Sequence, residues 1–578
     1  MKQLIHQGAS FARNFVLSIF IAVLSLFYGV IAGGQILGLT NLYRPVLVIP
    51  FSIVLAVIIF FFYINNGSHF SETFEHPIIH KRNTPINVIC VIVGFALFFL
   101  LIFTPLIHWP QSPISTELTW DAGLYHFPKA AEMLSTKSAN DLSISYGEYP
   151  FGYESLIAFS LTLNHTGFLI GTVHALISLF WFLVLSLLLI QRTKLPRGLI
   201  VLLLSLLFLS YPLAKDFDSN IWWIFWPQIT QIGKNDVILA AATLAVLLHT
   251  PMSKDGPFFP FGLAVASMVA LSIKPNSILV VAFAWLSMIF FLWRSKQVRK
   301  YVNQLLWSIL VIIPGVLWVV RNFIMQGVVF SSDSMQLSKL SIANNLANPY
   351  FYKYIPQHLY IVVAIILISL LVSFFKRSLR FGVISALILL ASFMISPASA
   401  FFGSTTEPTQ VGWRFALALL SYIFLLLIQL FEPVIASVYH WVVNKKYLSY
   451  FVSALILVIG GMIIRTQLDL LRIFPENKNV LHDPYQNAVG IDGYHSAYDY
   501  VQKNISNSIV IIENGLPYYL YDPQFTNSVT RSQPADFIVY VRDPNETSGY
   551  PIEIDQDKWS QTWLLVYQDS EGRVYKRR

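Results

Sequence analysis

The stretch from Ile107 to Gly152 reads IHWPQSPISTELTWDAGLYHFPKAAEMLSTKSANDLSISYGEYPFG and is the longest polar interruption in the first third of a very apolar chain. The chain has 578 residues, of which 55% are hydrophobic and 12% are charged, and its mean hydropathy is +0.60. Soluble domains carry about 25% charged residues, about twice the fraction in this chain. This low charged fraction, together with apolar runs near 20 residues long, indicates a helical membrane protein with many spans. We therefore predict a transmembrane bundle in which this stretch is a large loop beside the membrane.

Charge and cysteine content exclude several classes of function. The net charge of +8 does not indicate a nucleic-acid partner, because Lys and Arg collect in the cytoplasmic loops of membrane proteins. The single cysteine, Cys90, leaves no intrachain disulfide and no cysteine metal cluster. The first apolar run, Phe15–Leu39, is too long for the core of a signal peptide and lacks a small-residue cleavage site. We expect it to be a retained first span.

The apolar runs predict about thirteen spans, with the N-terminus inside and the C-terminus outside. In this arrangement the basic loops fall on one side, as the positive-inside rule requires. The stretch Tyr153–Leu163 has about 11 residues, too few for ~30 Å of hydrocarbon, and is predicted to lie in the interface. The predicted spans are Phe15–Leu39, Pro45–Ile64, Pro85–Ile107, Phe168–Ile190, Leu199–Leu213, Val237–His249, Pro260–Ile273, Asn276–Trp293, Val302–Val320, His358–Phe375, Phe381–Ser399, Trp413–Phe431 and Tyr447–Ile464.

The end of the chain has a different composition, rich in turn, amide and acidic residues. Ser496–Ile505 is predicted to be a helix, and a hairpin is expected around Ser570-Glu571-Gly572. We predict a transmembrane domain over residues 1–469, with the first large outer loop at 107–167, and a small extracytoplasmic α/β domain over 470–578. The predicted strands are Ser508–Glu513, Phe537–Arg542, Thr562–Tyr567 and Arg573–Lys576.

Five cations lie at predicted span ends on the outer side, where Lys and Arg are disfavoured. They are Lys215, Lys234, Lys274, Arg321 and Arg414. Such a set suits an anionic lipid headgroup, whose phosphate Arg binds through a planar fork and Lys as a point charge. The alternative is that each long side chain reaches the interface from an apolar helix. For one residue that alternative is favoured, whereas for five on one face we favour a lipid-phosphate site.

Acidic residues collect at the same predicted face, where an ionisable group beside a span is a candidate functional residue. A carboxylate in a partly dry pocket can act as a general base on an acceptor hydroxyl or amine, and Asp121 is our candidate. Its alternative role is the N-cap of a short helix, and the two interpretations are evenly matched on these residues. The acidic set is Asp121, Glu148, Glu154, Asp216, Asp218, Asp236 and Glu407.

Asp216 and Asp218 are the candidate metal ligands. Two carboxylates at this spacing can hold a divalent cation together with lipid-phosphate oxygens. Two acids are too few ligands by themselves, and a solvated loop is the favoured alternative. A divalent cation is thus the one cofactor to consider, and the sequence does not require it.

Several short segments resemble elements of the GT-C superfamily, polytopic glycosyltransferases that use lipid-linked sugars. A small outer C-terminal domain is also usual there, and bacterial members with uncharacterised substrates look closest. Two features depart from the family pattern: two extra spans precede the loop, and the loop has one Asp instead of an acidic pair, which leaves metal dependence open. The segments are Trp120–His126, Tyr149–Tyr153, Gly233–Asp236, Ser272–Asn276, Arg321–Gly327 and Trp413–Phe415.

The resemblance implies an inverting transfer of a sugar from polyprenyl phosphate to a glycan, lipid or protein acceptor. The site would face outside from a bacterial inner membrane, with Asp121 as the general base and cations stabilising the departing phosphate. The implied metal ligands are Asp216 and Asp218. The implied substrate-binding residues are His126, Glu148, Tyr149, Lys234, Asp236, Lys274, Arg321, Asn322 and Arg414.

Two other functions are compatible with parts of this pattern. A lipid-linked glycan polymerase or ligase would also carry outer-face arginines, but it would not need the loop Asp. A secondary transporter usually has charges near the bilayer midplane and inverted repeats, and the sequence shows neither. Membrane lipids are expected partners in every case, and nucleic acid is not.

Overall fold

The computed structural model describes residues 15–67, 70, 74, 85–108, 122–142, 144, 146–164, 168–213, 235–253, 257–329, 357–395, 416–476, 496–512, 516–530, 534–541, 562–569 and 572–578. The protein is mainly helical and ends in a small sheet, which confirms the predicted fold class. Its helices before the sheet are α1 Phe15–Leu39, α2 Pro45–Asn66, α3 Pro85–His108, α4 Phe127–Ser135, α5 Gly152–Leu163, α6 Phe168–Arg192, α7 Arg197–Leu213, α8 Asp236–Leu248, α9 Pro260–Ile273, α10 Ile278–Arg294, α11 Val298–Ile312, α12 Leu317–Gln326, α13 Gln357–Phe375, α14 Arg380–Ile395, α15 Leu417–Asn444 and α16 Lys446–Glu476.

Every predicted span overlaps one of these helices. Within the described ranges, eight helical segments are long and apolar enough to cross a membrane, and four shorter apolar helices accompany them. The chain is therefore an integral membrane protein. The predicted count of thirteen spans and the orientation stay predictions.

Two short helices, α8 and α9, form the centre of the bundle. They have 13 and 14 residues, and every one of those residues is buried. At 1.5 Å per residue each is about 20 Å long, less than the ~30 Å of a hydrocarbon core. Their many Ala, Gly and Ser residues let the neighbouring helices α6 and α11 approach closely. Asp236 begins α8 and Lys274 follows the end of α9, so both lie at one end of this central pair.

The first loop enters the bundle through α5. Its length agrees with the predicted short helix, but protein covers nearly all of it, because it packs against α1, α6 and α9. A turn between α1 and α2 also contacts the loop: the amide of Ala139 donates to the carbonyl of Gly38 at 2.9 Å, and that of Tyr43 donates to Lys137 at 3.0 Å.

The C-terminal part is a five-stranded mixed sheet preceded by α17 (Ser496–Asn504). The order is β2-β1-β3-β5-β4, with β1 parallel to β2 and β3, and β5 antiparallel to β3 and β4. The predicted helix and all four predicted strands are observed, the last two paired as the predicted hairpin, whereas β2 was not predicted. The helix α16 continues to Glu476, beyond the predicted boundary at residue 469. The strands are β1 Ile509–Ile512, β2 Ser528–Thr530, β3 Phe537–Val541, β4 Trp563–Gln568 and β5 Gly572–Arg577.

The sheet is attached to the first loop through Glu132 of α4. The carboxylate of this buried residue accepts hydrogen bonds from the hydroxyls of Tyr521 and Ser528, both at 2.7 Å. Rings pack beside this contact, with Phe127 edge-on to Tyr518 at 5.2 Å between centroids. One carboxylate thus joins the C-terminal part to the loop that the sequence analysis singled out.

Candidate functional site

Lys129 of α4 holds one side of the loop segment that precedes α5. Its side chain is buried, with 6% exposed. Its ammonium donates to the carbonyls of Tyr146, Tyr149 and Pro150 at 3.3, 3.5 and 3.4 Å. A buried ammonium needs such acceptors, because its three donors would otherwise lose hydration without compensation.

Arg321 and Asn322 of α12 hold the other side of the same segment. The Arg321 guanidinium donates to the carbonyls of Ala139 at 2.8 Å and Gly147 at 2.6 Å, and it lies over the Phe151 ring at 4.9 Å. The amide of Asn322 donates to the carbonyl of Glu148 at 2.6 Å. Asn322 also accepts from the Arg321 Nε at 3.0 Å, which keeps the two side chains in register.

These three side chains donate hydrogen bonds to every carbonyl of one short segment. The five consecutive carbonyls of Tyr146–Pro150 each receive a hydrogen bond from Lys129, Arg321 or Asn322. We name this arrangement the carbonyl clamp. It fixes the backbone from which the side chains of Glu148 and Tyr149 project, two residues named from the sequence. Burial raises the pKa of Tyr149 to about 12, so its phenol is protonated at neutral pH.

Glu154 of α5 is the anionic partner of Lys129 in the clamp. Its buried carboxylate lies 2.7 Å from Nδ1 of His126 and 3.5 Å from Nζ of Lys129. Burial opposes its ionisation, but Lys129 and the hydrogen bond from His126 outweigh it and lower the pKa of Glu154. Burial also lowers the pKa of Lys129, and the nearby Arg321 acts in the same direction, while Glu154 opposes both. His126, named from the sequence, therefore lies within a buried ion network.

Lys274 and Asp236 form a second charged pair, at the end of the central helices. The Lys274 ammonium donates to the Asp236 carboxylate at 2.6 Å, with 13% and 3% of the two side chains exposed. Asp236 lies in the first turn of α8, where the helix dipole favours an anion, and Lys274 follows α9, where it favours a cation. The dipoles therefore fix the polarity of this pair.

Gly152 connects the clamp to this pair. It is the first residue of α5, and a Cβ built there would lie 2.6 Å from the carbonyl oxygen of Ser272 and 2.7 Å from its Cβ. Only glycine allows the loop to approach the end of α9 this closely. Lys274 lies two residues beyond Ser272, so the clamp and the charged pair are neighbours.

The structure thus brings together seven residues named from distant parts of the sequence, and Lys129 joins them. Lys129 was missed, although its spacing of three from His126 puts both on one face of a helix. Within the described ranges, no group of three or more His, Cys, Asp or Glu side chains can hold a metal ion. The residues brought together are His126, Glu148, Tyr149, Asp236, Lys274, Arg321 and Asn322, with Asp236 and Lys274 as the adjoining pair. The named residues that lie outside the described ranges are Asp121, Lys215, Asp216, Asp218, Lys234, Glu407 and Arg414.

Comparisons with known proteins give likenesses only among solved structures. No protein-family model matches the sequence, and no curated protein matches it. The chain is similar to ArnT from Cupriavidus metallidurans in a crystal structure bound to undecaprenyl phosphate, with 14% identity, 84% of this chain and 97% of that chain covered, and a TM-score of 0.46. Against the apo crystal structure the identity and coverage are the same and the TM-score is 0.42.

Proposed function

We propose that the chain is a glycosyltransferase that takes its sugar from a polyprenyl-phosphate carrier at the outer face of the membrane. The observation that carries this proposal is the convergence at the carbonyl clamp. The first-loop segment, the Lys274 element and the Arg321 element each resemble GT-C elements and are separated by more than a hundred residues or by several helices in sequence. These three segments form one region, because Gly152 packs against Ser272 and Arg321 donates hydrogen bonds to the loop carbonyls.

Lys274 is the described cation best suited to the lipid phosphate in this proposal. Its side chain is 13% exposed, donates to the Asp236 carboxylate at 2.6 Å and follows the end of α9 beside the first loop. Arg321 and Asn322 serve as positioning residues, because their donors meet the loop carbonyls. A phosphate beside Lys274 would lie at the end of the short central helices, next to the loop that carries Glu148 and Tyr149.

The proposed reaction is an inverting displacement at the anomeric carbon. The acceptor oxygen or nitrogen attacks from the side opposite the phosphate while the bond between the anomeric carbon and the phosphate oxygen breaks. Asp121 takes the acceptor proton as general base. The polyprenyl phosphate leaves with the bonding electron pair, and cations such as Lys274 stabilise the charge that develops on it.

Transfer of a labelled sugar tests the proposal. The purified chain in lipid nanodiscs receives undecaprenyl phosphate carrying a radiolabelled hexose or pentose, with bacterial membrane extract as the acceptor source. We expect the wild type to discharge one of these donors, and Asp121→Asn to lower the rate by about 10²–10⁴-fold. Asp499→Asn, at an exposed carboxylate of α17, should leave the rate unchanged.

Two results would contradict parts of this account separately. Failure of the wild type to discharge any donor in the panel would remove the glycosyltransferase proposal and favour a polymerase or a transporter. Discharge at an unchanged rate by Asp121→Asn would leave the activity in place and assign Asp121 to helix capping.

A further inference from the structure

Three tyrosine rings of the first loop lie in consecutive contact, and two of them, Tyr146 and Tyr149, belong to the segment that the carbonyl clamp holds. Tyr125 and Tyr146 are 4.7 Å apart between centroids, and Tyr146 and Tyr149 are 5.5 Å apart. Tyr146 is 43% exposed, while the other two are half-buried. The rings are tilted relative to each other by 56° and 76°, so they present both faces and edges around the exposed ring.

Tyr146 has a backbone conformation that bulky residues rarely adopt. Its φ is +56°, in the left-handed region that favours Gly and Asn. The surrounding structure enforces this conformation: the Tyr146 carbonyl accepts from Lys129 at 3.3 Å and from the amide of Tyr149 at 3.0 Å. Such enforced conformations concentrate at functional sites, and Asn or Gly would adopt this backbone at less cost than a bulky aromatic residue.

We infer that Tyr125, Tyr146 and Tyr149 form a stacking platform for a pyranose ring, the sugar of the lipid-linked donor. The inference rests on the proposed function. A tyrosine ring offers an apolar face to the C–H groups of a sugar and a hydroxyl to its polar edge. It does so at a small loss of conformational entropy, because the side chain has two rotatable angles.

The position of the platform fits the sugar better than the phosphate or the lipid tail. Its three rings carry no charge, and Tyr146 and Tyr149 stand on the backbone that the clamp holds. Tyr149 is three residues from Gly152, which contacts Ser272 at the end of α9, two residues before Lys274. We therefore expect the sugar attached to a phosphate at Lys274 to reach the loop that carries these rings.

The test compares the same lipid with and without its sugar. The purified chain in nanodiscs is titrated with undecaprenyl phosphate and with undecaprenyl phosphate carrying glucose, galactose, mannose or arabinose. Tyr146→Asn removes the ring while keeping a residue that tolerates the left-handed backbone. Tyr146→Phe keeps the ring and removes the hydroxyl. Tyr500→Ala removes a ring from the stacked pair Tyr500–Tyr567 on the C-terminal part, also 4.7 Å apart, and serves as the control.

We expect the wild type to bind one glycosylated lipid more tightly than the bare lipid. Tyr146→Asn should weaken the binding of that glycosylated lipid by about three- to tenfold, the range expected for one aromatic contact, and leave the affinity for the bare lipid unchanged. Tyr146→Phe should retain most of the difference, and Tyr500→Ala all of it. Equal loss for both lipids, or no loss for either, would overturn the inference and make the rings a membrane-interface anchor.

A second arm separates this inference from the proposed function. Methyl pyranosides of the same sugars are tested for binding by saturation-transfer NMR, with the wild type and Tyr146→Asn. If neither lipid binds, the proposed function fails, and the platform stands only if a pyranoside binds the wild type and not Tyr146→Asn. If no pyranoside binds and no lipid is discriminated, the platform is wrong.

Discussion

At the scale of single residues, Lys129 is the group on which the site depends most. Its ammonium is buried, donates hydrogen bonds to three carbonyls and lies 3.5 Å from the Glu154 carboxylate. Removing one partner from a buried ion pair leaves the other charge without compensation, which is more damaging than losing the pair itself. The carbonyls of the clamp lose donors at the same time.

We predict that Lys129→Met lowers the free energy of unfolding by about 3–5 kcal/mol. Lys503→Met provides the control, since Lys503 forms an exposed pair with Asp499 at 3.3 Å, and exposed pairs of this kind contribute about 0.3–0.5 kcal/mol. Thermal denaturation of the detergent-purified variants measures both. The double variant Lys129→Met/Glu154→Gln should recover part of the loss. A Lys129→Met protein as stable as the control would remove the clamp from the account.

Sequence reasoning reached part of this site and missed the rest for a physical reason. Arg321, Asn322, Glu148 and Tyr149 were named because they stand at span ends in recognisable segments. Lys129 lies in FPKAAEML, which has the pattern of an ordinary amphipathic helix with its lysine exposed. Burial of that lysine depends on carbonyls some twenty residues away, and a carbonyl has no signature in the sequence.

At the scale of elements, the contact between α5 and α9 aligns the two halves of the site. Gly152→Ala would place a methyl group against the backbone and Cβ of Ser272. We expect a loss of about 1–3 kcal/mol in the free energy of unfolding, because neither backbone can move without strain. Gly461→Ala in α16 has nothing within 4 Å of its Cβ, so it should be neutral or slightly stabilising. Equal thermal stability of the two variants would contradict the close approach.

The attachment of the C-terminal part to α4 should depend on pH. Burial raises the pKa of Glu132, Asp141 adds to the increase, and the hydrogen bonds from Ser528 and Tyr521 oppose it. A raised pKa in the attached state means that attachment binds a proton. Its contribution is therefore complete below the ordinary pKa of glutamate and is lost as pH rises through the raised pKa.

Amide hydrogen exchange of β1 and β2 measures this dependence. We predict slower exchange at pH 4 than at pH 8 after correction for the intrinsic rate, and a flatter profile in Glu132→Gln. Asp499→Asn, at an exposed carboxylate of α17, should follow the wild type. A Glu132→Gln profile identical to that of the wild type would assign the dependence to another group.

Elements were predictable where periodicity or hydropathy is strong. The helices of the bundle and the hairpin of β4 and β5 followed from apolar runs and a turn signal. The strand β2 has three residues, Ser528–Thr530, and such a strand is defined by its parallel pairing with β1 more than by its own pattern. The burial of α5 was also beyond sequence reasoning, because its length fits an interfacial helix equally well.

At the scale of the whole molecule, different loops meet at the two ends of the bundle. At one end the loops after α6 and α13 meet at Glu432, which accepts from the amide of Lys194 at 2.7 Å and from Lys376 at 3.2 Å. At the other end the turn between α1 and α2 meets the first loop near Ala139. Which of the two ends faces outside stays a prediction.

Cysteine labelling in intact cells tests that orientation. In a Cys90→Ser background, which removes the single native cysteine, Thr136→Cys and Lys446→Cys place exposed thiols at the two ends. A membrane-impermeant maleimide should label Thr136→Cys in intact cells and Lys446→Cys only after permeabilisation. Labelling in the reverse pattern would place the first loop inside.

The central claim is that the loop end of the bundle binds the phosphate of a polyprenyl lipid. It is tested most directly by the binding of undecaprenyl phosphate to Lys274→Gln and Lys376→Gln. Lys274 pairs with Asp236 and Lys376 pairs with Glu432, at opposite ends of the bundle. Each variant therefore loses one ion pair, and Lys376→Gln controls for that loss. We predict that Lys274→Gln weakens binding by about 10-fold or more, the contribution of one charged hydrogen bond, and that Lys376→Gln binds as the wild type does. Equal affinity of the two variants would contradict the account.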